Sequence, residues 1–228
     1  MRNLTLIIPA KNEPESLPKV LSSLESLNCN IIVSLKDDDI STIESIKNFN
    51  LFIHKQSGNG YGNALWEAIN LCKTEWFCIF NADGSFEKSD LIKMYDLMKD
   101  NEFIYGSRYL KDSGSDDDTM ITFIGNKIFS LLGKILFSLK INDILYTYVM
   151  GSVTSFKQLK IKSNDFKFCV EMPIKMAILK KKYQMIPSYE KRRIGGKKKV
   201  NALKDGFLIL TEIIRLFIIH KILRQEII

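Results

Sequence analysis

The run Trp76-Phe-Cys-Ile-Phe-Asn-Ala-Asp-Gly-Ser85 carries an apolar stretch onto two oxygen-bearing side chains, Asn81 and Asp83. Alternate side chains of an extended segment share a face, so both oxygens are expected on the same side. With Ser85 grouped beside them, the pair suits Mg2+ or Mn2+ already bound to a diphosphate, since hard cations prefer oxygen and share coordination with substrate phosphates. An Asx turn is the competing explanation.

Other loops carry chemistry of the same kind. Leu4-Thr-Leu-Ile-Ile-Pro-Ala-Lys-Asn-Glu13 is an apolar strand that stops at Pro9 and delivers Lys11, Asn12 and Glu13; a turn followed by an acid favourable to a helix dipole would look the same. Asp37, Asp38 and Asp39 precede Ser41, and a carboxylate there suits a nucleobase or ribose, with helix capping as the alternative. Gly58-Asn-Gly-Tyr-Gly62, including Asn59 and Gly60, leads into a helix near Asn63. Its glycines allow close backbone approach, and a helix N-terminus favours an anion such as a diphosphate. The run is neither a Walker A loop nor a dinucleotide-binding fingerprint.

Positioning these loops requires an alternation of strands and helices, and the first half of the chain has that pattern: strands at 4–8, 31–35, 51–54 and 76–80, helices at 17–27, 40–47 and 64–72. A helix at about 90–98 and a strand at about 103–106 follow. The pattern predicts an α/β fold with a mainly parallel central sheet flanked by helices, whose ligands bind at the carboxyl ends of the strands. One domain is expected over 1–228, with a nucleotide-binding half to about 110 and an acceptor and basic-loop half from about 111 onward.

The second half opens with a polar loop, 111–119, expected to be flexible; its Asp116-Asp117-Asp118 run reads as solvated loop ahead of metal cage. From Met120 to Ile141 the chain is apolar over a wide arc, broken by a narrow stripe of Asn126, Lys127, Ser130, Lys134 and Ser138. This is an amphipathic helix, packed in the domain or lying in a membrane interface. A last helix at about 202–227 is interrupted by Glu212, Arg215, His220, Lys221 and Arg224. Membrane contact is therefore expected to be peripheral, or supplied by an anchoring partner subunit.

Cys29, Cys72, Cys78 and Cys169 form no CxxC pair and read as small core hydrophobes, which suits a reducing, cytoplasmic compartment. Residues 1–8 carry no secretory signal pattern. The net charge is +7, yet the segment 180–204 holds ten lysines and arginines against one acid, so the basicity is local. A local basic cluster points to an anionic partner such as phosphate, anionic lipid or nucleic acid.

In their order along the chain, Ile-Ile-Pro-Ala-Lys-Asn-Glu, the acidic patch, Gly-Asn-Gly-Tyr-Gly-Asn-Ala and the DXD-like Asn-Ala-Asp resemble the family-2 inverting glycosyltransferases, especially the dolichyl-phosphate mannosyltransferase-like enzymes that act on polyprenyl phosphates. Gly106-Ser-Arg-Tyr109, Gly125-Asn126, Asp143, the segment 168–173 and Arg193-Ile-Gly-Gly-Lys-Lys-Lys-Val200 continue the likeness. The resemblance implies a GT-A fold in which Pro9, Asn12, Glu13 and an acid among Asp37 to Asp39 hold a GDP- or UDP-linked sugar and Asp83 ligates the metal. It implies that Arg108 approaches the phosphates or the acceptor, and that Arg193 and Lys199 grip a phosphate. Asn81 stands where the family carries its first aspartate. The implied reaction is a single in-line displacement with inversion onto a lipid phosphate, and an alcohol acceptor would need a base, for which Asp143 is the candidate.

Two rivals are weaker. A sugar nucleotidyltransferase would carry a glycine-rich, arginine-containing loop in place of Pro-Ala-Lys-Asn-Glu. A nucleic-acid binder would interleave aromatics with its basic residues, and that segment has only Tyr183 and Tyr189; no nucleic-acid partner is expected.

Overall fold

The computed structural model describes residues 1–195 and 201–223. Its central sheet is built from β1 (Leu4–Pro9), β2 (Asn30–Leu35), β3 (Phe52–Lys55), β4 (Trp76–Ile79), β5 (Phe103–Ser107), β7 (Val149–Ser152) and β8 (Tyr183–Pro187), and β6 (Gly114–Ser115) pairs with β9 (Tyr189–Glu190) in a small second sheet. The strand order is β3-β2-β1-β4-β7-β5-β8, parallel except for β7, which runs antiparallel between β4 and β5. The sheet is thus mainly parallel, as the alternating pattern predicts.

Each strand sends alternate side chains to opposite faces. Ile7, Phe77, Ile79, Phe103 and Tyr105 enter the core under α3 (Tyr61–Asn70), α5 (Met120–Phe137), α6 (Val153–Gln158), α7 (Phe168–Ile178) and α8 (Ala202–Phe217). Leu6, Ile8, Cys78 and Ile104 enter the core under α1 (Leu17–Leu24), α2 (Ile40–Ile46) and α4 (Lys88–Leu97). The chain runs outward through β1, β2 and β3 and then returns to the other side of β1 as β4. This reversal opens a crevice at the carboxyl ends of β1 and β4.

Several boundaries differ from the sequence pattern for local reasons. The helix expected over 17–27 ends at Leu24 and finishes as one 3-10 turn, Glu25–Leu27, closed by Asn28 at φ 47°. α5 stops at Phe137, because Ser138 takes the left-handed conformation at φ 58°. α8 ends at Phe217 and continues as a wide turn, Ile218–Ile222.

The orientation of α5 is the larger surprise. Two members of its polar stripe face inward, Asn126 Oδ1 accepting from Leu145 N, 3.3 Å, and Ser130 Oγ accepting from Ile144 N, 3.2 Å, while Lys127, Lys134 and Ser138 stay exposed. Its apolar arc faces out, with Met120 79%, Ile121 69% and Ile135 67% exposed. Asn126 and Ser130 turn inward because the irregular segment before β7 has backbone N–H groups that need acceptors.

Candidate functional site

A cleft of about 830 Å³ opens at the carboxyl ends of β1, β2, β4 and β5. On the β1 side, Asn12 adopts φ 52° and its N–H donates to Asp39 Oδ2 at 2.7 Å, while Glu13 N donates to Thr42 Oγ1 at 2.9 Å. The loops after β1 and β2 therefore hold each other. Asp39 is buried, and its other oxygen caps α2 by accepting from Thr42 N. Asp38 is exposed and lines the cleft together with Pro9, Asn12 and Glu13, whereas Asp37 does not line it. Of the three adjacent acids, Asp38 and Asp39 both line the cleft, and Asp39 also caps α2.

The Asn81–Ser85 segment is a turn after the end of β4, so its geometry comes from hydrogen bonds and not from strand alternation. Ser85 N donates to Asp83 Oδ1 at 3.0 Å, an Asx turn, and Asn81 Nδ2 donates to Ser85 Oγ at 3.2 Å. Gly84, at φ 80°, sits under Ile194, where any Cβ would come 2.4 Å from the Ile194 Cδ1. Ile194 N also donates to Asp83 O at 2.8 Å, so the segment 191–195 clamps this turn. Ser85 is buried and off the cleft. It orients Asn81 and Asp83 and is not positioned as a metal ligand, which corrects the expectation for this residue.

Asn81 and Asp83 both line the cleft. With its amide nitrogen on Ser85, Asn81 has its oxygen available, and Asp83 Oδ2 lies 3.5 Å from Arg193. No group of three His, Cys, Asp or Glu side chains able to hold a metal exists among the described residues. Two oxygens on one turn fit Mg2+ or Mn2+ that takes its remaining ligands from phosphate and water; they do not fit a cage made of protein alone.

Arg193 reaches across from Asp83 to Asp117, 3.6 Å away, and its Nε is buried with no hydrogen-bond partner among the described residues. Lys199 lies outside the described residues. The acidic loop expected to be flexible is instead tied down residue by residue. Asp116 accepts from the Tyr189 hydroxyl at 2.7 Å, Asp117 faces Arg193, and Asp118 accepts from the Tyr109 hydroxyl at 2.6 Å and from Thr122. Asp117 and Asp118 enter the cleft, a position that adjacent carboxylates alone gave no reason to expect.

Arg108 is expected at phosphate or acceptor, and Asp143 as a base for an alcohol acceptor; the structure pairs them with each other. Asp143 is fully buried and accepts from Arg108 N, Nε and the terminal guanidinium nitrogen at 2.8–2.9 Å, with Asn126 Nδ2 as a further donor. Glu190 accepts from the other guanidinium nitrogen at 2.9 Å, and the cation lies 4.6 Å from the Tyr146 ring centroid. Burial alone would lower the Arg108 pKa, but the hydrogen bonds and charge of Asp143, together with the charge of Glu190, raise it on balance. Asp143 is fully buried, is not among the residues lining the cleft, and anchors Arg108. Arg108 lines the cleft with its guanidinium held by both carboxylates.

The glycine run packs closely against another segment of the chain. Gly60, at φ 103°, lies against the Asn164 carbonyl, where a Cβ would come within 2.2 Å, and Gly62 lies against the Ser163 carbonyl, 2.4 Å from such a Cβ. Asn63 N donates to Asn164 O at 2.9 Å, so one N–H of the first turn of α3 is taken by a backbone carbonyl of the chain itself. The capping segment is fixed by a buried pair on α7: Glu171 accepts from Ser163 N at 2.8 Å, and Lys175 Nζ lies 2.8 Å from Glu171 and donates to Lys160 O at 2.7 Å. Gly58 N and Asn63 Oδ1 bond each other at 3.0 Å within the loop, leaving Asn59, Gly60 and Tyr61 to line the cleft.

Glu67 holds this loop from below, accepting from Ser57 N at 3.0 Å, from the Ser57 hydroxyl and from Asn63 Nδ2 at 2.9 Å, with His54 Nε2 2.9 Å away. Burial raises its pKa, but these bonds outweigh burial and hold the carboxyl at about 2, below its ordinary 4.5. A depressed carboxylate stabilises the fold fully above the unfolded-state value and loses that contribution as pH falls through the folded value. The stability gap between the parent and Glu67→Gln, from urea unfolding, is therefore expected to be constant above pH 5 and to shrink between about pH 4.5 and 2.

The cleft has a second arm of different character, lined by Leu145, Phe166, Cys169 and Ile209 between α5, α7 and α8. Phe166 stacks on Tyr61 at 5.2 Å. Burial pushes the Cys169 thiol up to about 12, so it serves as an apolar wall and not as a nucleophile.

Residues 5–160 match the model of glycosyl transferase family 2. Glycosyltransferase AglJ of Haloferax volcanii is 25% identical over 214 residues, 92% of this chain and 70% of that protein. An uncharacterised glycosyltransferase of Mycobacterium tuberculosis, Rv0539, is 27% identical over 107 residues, 46% of this chain and 48% of its own length. Among solved structures, mannosyl-3-phosphoglycerate synthase from Rubrobacter xylanophilus superposes with a TM-score of 0.74 at 14% identity, covering 99% of this chain and 76% of that one. Glucosyl-3-phosphoglycerate synthase from Mycobacterium tuberculosis, solved with Mn2+, uridine diphosphate and phosphoglyceric acid, gives 0.70 at 12%, covering 95% and 78%. These structural likenesses establish the fold.

Proposed function

Since the chain belongs to glycosyl transferase family 2, we propose that it transfers a sugar from a GDP- or UDP-linked donor to a polyprenyl phosphate, in the manner of the dolichyl-phosphate mannosyltransferases. The observation that carries this reading is the two-ended cleft: oxygen-rich and charged around Asp38, Asn81, Asp83 and Arg193, apolar around Leu145, Phe166, Cys169 and Ile209. A nucleoside diphosphate suits the first end, and the start of an isoprenoid chain suits the second.

In this reading Pro9, Asn12, Glu13 and Asp38 surround the nucleoside, and Asp83 with Asn81 would hold Mg2+ or Mn2+. The cation, when bound, offsets negative charge on the diphosphate. An oxygen of the acceptor phosphate attacks the anomeric carbon, the bond from that carbon to the diphosphate oxygen breaks, and its electron pair leaves with the nucleoside diphosphate, inverting the centre. A phosphate monoester is already ionised near neutral pH and needs no base. Full engagement of Asp143 by Arg108 supports such an acceptor, because it removes the base foreseen for an alcohol. Phosphoglycerate, named for the solved relatives, is the competing acceptor.

Arg193 is expected to leave Asp83 and Asp117 and donate to the donor diphosphate or the acceptor phosphate. Lysine keeps the charge but not the planar fork. Arg193→Lys is therefore expected to lower steady-state transfer at least about tenfold, roughly 1.4 kcal/mol of transition-state stabilisation; an unchanged rate would leave Arg193 as diffuse positive charge only. The donor reading is tested by melting-temperature shifts with UDP- and GDP-sugars, with and without Mn2+, since a ligand of the native state raises the midpoint. Absence of a shift with every nucleotide sugar would remove the donor site from this cleft.

A further inference from the structure

We propose that the outward faces of α5 and α8, with the basic pocket at their common end, dock the protein on an anionic lipid bilayer, a phospholipid headgroup entering the pocket. The inference goes beyond the transfer reaction, because docking needs neither donor nor acceptor.

Three observations carry it. The first is the inverted packing of α5, which leaves Met120, Ile121, Ile124, Ile128, Leu131 and Ile135 exposed by 50–79%. The second is continuity. Phe129 lies beside Gly206 near the start of α8, and Phe137 meets Phe217 at its end, so the two helices run side by side in the same direction. Leu203, Phe207 and Ile214 on α8 and Ile218 at the start of the following turn are exposed by 39–83%, and their spacing puts them on one face. Contiguous apolar surface on this scale marks an interaction site.

The third is charge. A pocket of about 360 Å³ at the C-terminal ends of α5, α7 and the turn after α8 is lined by Lys180, Lys181, His220, Lys221, Ser138 and Tyr183. Lys181 is paired with Glu102 at 3.0 Å, whereas Lys180 and Lys221 have no acidic partner among the described residues. Lys127 and Lys134 border the apolar face of α5. An apolar face bordered by lysines complements a bilayer whose acyl region lies beneath anionic headgroups. It complements a second copy of the same cationic surface poorly.

α5 is 18 residues long with a mean hydropathy of 1.4, which by length and composition alone would allow it to span. Its length of about 27 Å approaches a hydrocarbon core of about 30 Å. Spanning would, however, strip Asn126 and Ser130 from the segment 143–145 and break the Asp143 network. The helix therefore lies in the interface with Asn126 and Ser130 still on the protein.

Vesicle flotation of the full chain tests this. The parent is expected to float with mixed phosphatidylcholine–phosphatidylglycerol vesicles at low salt and to be released from alkaline carbonate. Lys180→Ala/Lys221→Ala is expected to weaken binding to the mixed vesicles about tenfold, each basic residue near an anionic surface adding to the attraction, with little change on phosphatidylcholine alone. Ile128→Ser/Phe207→Ser is expected to weaken binding to both. These side chains are exposed, so retained melting temperature and turnover of a short-chain acceptor show that the fold and the transfer site are intact. Failure to float at low salt, equal flotation of the lysine variant, resistance to carbonate, or a stable dimer dissolved by the apolar variant would each overturn the proposal. Flotation of a protein that turns over no nucleotide sugar would leave docking standing and remove the transfer reading alone.

Discussion

Asp83→Ala is expected to reduce sugar transfer by about 10²–10³-fold, the scale on which loss of one group stabilising developing charge is felt, while the melting temperature of the ligand-free protein stays close to the parent's. The carboxylate has one oxygen on the Asx turn and the other toward the cleft, 3.5 Å from Arg193. Its removal costs the fold one turn bond and costs the site the charged oxygen that faces Arg193. Asn81→Ala is expected to be milder, because a neutral amide oxygen attracts a divalent cation less than a carboxylate. The check is kcat at saturating donor and metal, together with the Mn2+-dependent melting shift in the presence of UDP or GDP. Equal turnover by Asp83→Ala and the parent would remove the residue from the reaction.

Asp143→Asn separates two roles that sequence alone leaves entangled. For a general base, the amide would abolish turnover and spare the fold. As the fully buried partner of Arg108, its loss leaves a buried guanidinium facing an amide, and breaking such a pair costs about 3–5 kcal/mol. Urea unfolding is expected to give a destabilisation of that order, with a parallel loss of activity that low temperature partly restores. A stable Asp143→Asn protein with no turnover would return the residue to the chemistry.

The strand–helix alternation was legible because each core strand carries apolar residues on both faces, Leu6 and Ile8 to one side and Ile7 to the other. The carboxyl-end loops followed from that order, and Asn12, Asp38, Asn81, Asp83 and Arg193 do meet in one cleft. The Arg108–Asp143–Glu190 cluster was not legible, since its members are 35 and 82 residues apart and only the fold brings them together. The antiparallel β7 between β4 and β5 was missed for the same reason: Val149–Ser152 is short, and its strand character comes from neighbours on both sides. For α5 the periodicity gave two faces but could not tell which one turns inward. That choice depends on the N–H groups of Ile144 and Leu145, which are supplied by another segment. The glycines at 60 and 62 carried a misleading signal. They do mark a close backbone approach, but the approaching group is the chain itself at Ser163 and Asn164.

The most direct measurement offers the protein a labelled UDP- or GDP-sugar and Mn2+ with either a short-chain polyprenyl phosphate or 3-phosphoglycerate, and follows the label and the released nucleotide together. The expected result is label on the polyprenyl phosphate, matched mole for mole by free nucleoside diphosphate, with inverted anomeric configuration in the product. Label on 3-phosphoglycerate alone would contradict the lipid acceptor, and release of pyrophosphate in place of nucleoside diphosphate would contradict glycosyl transfer itself.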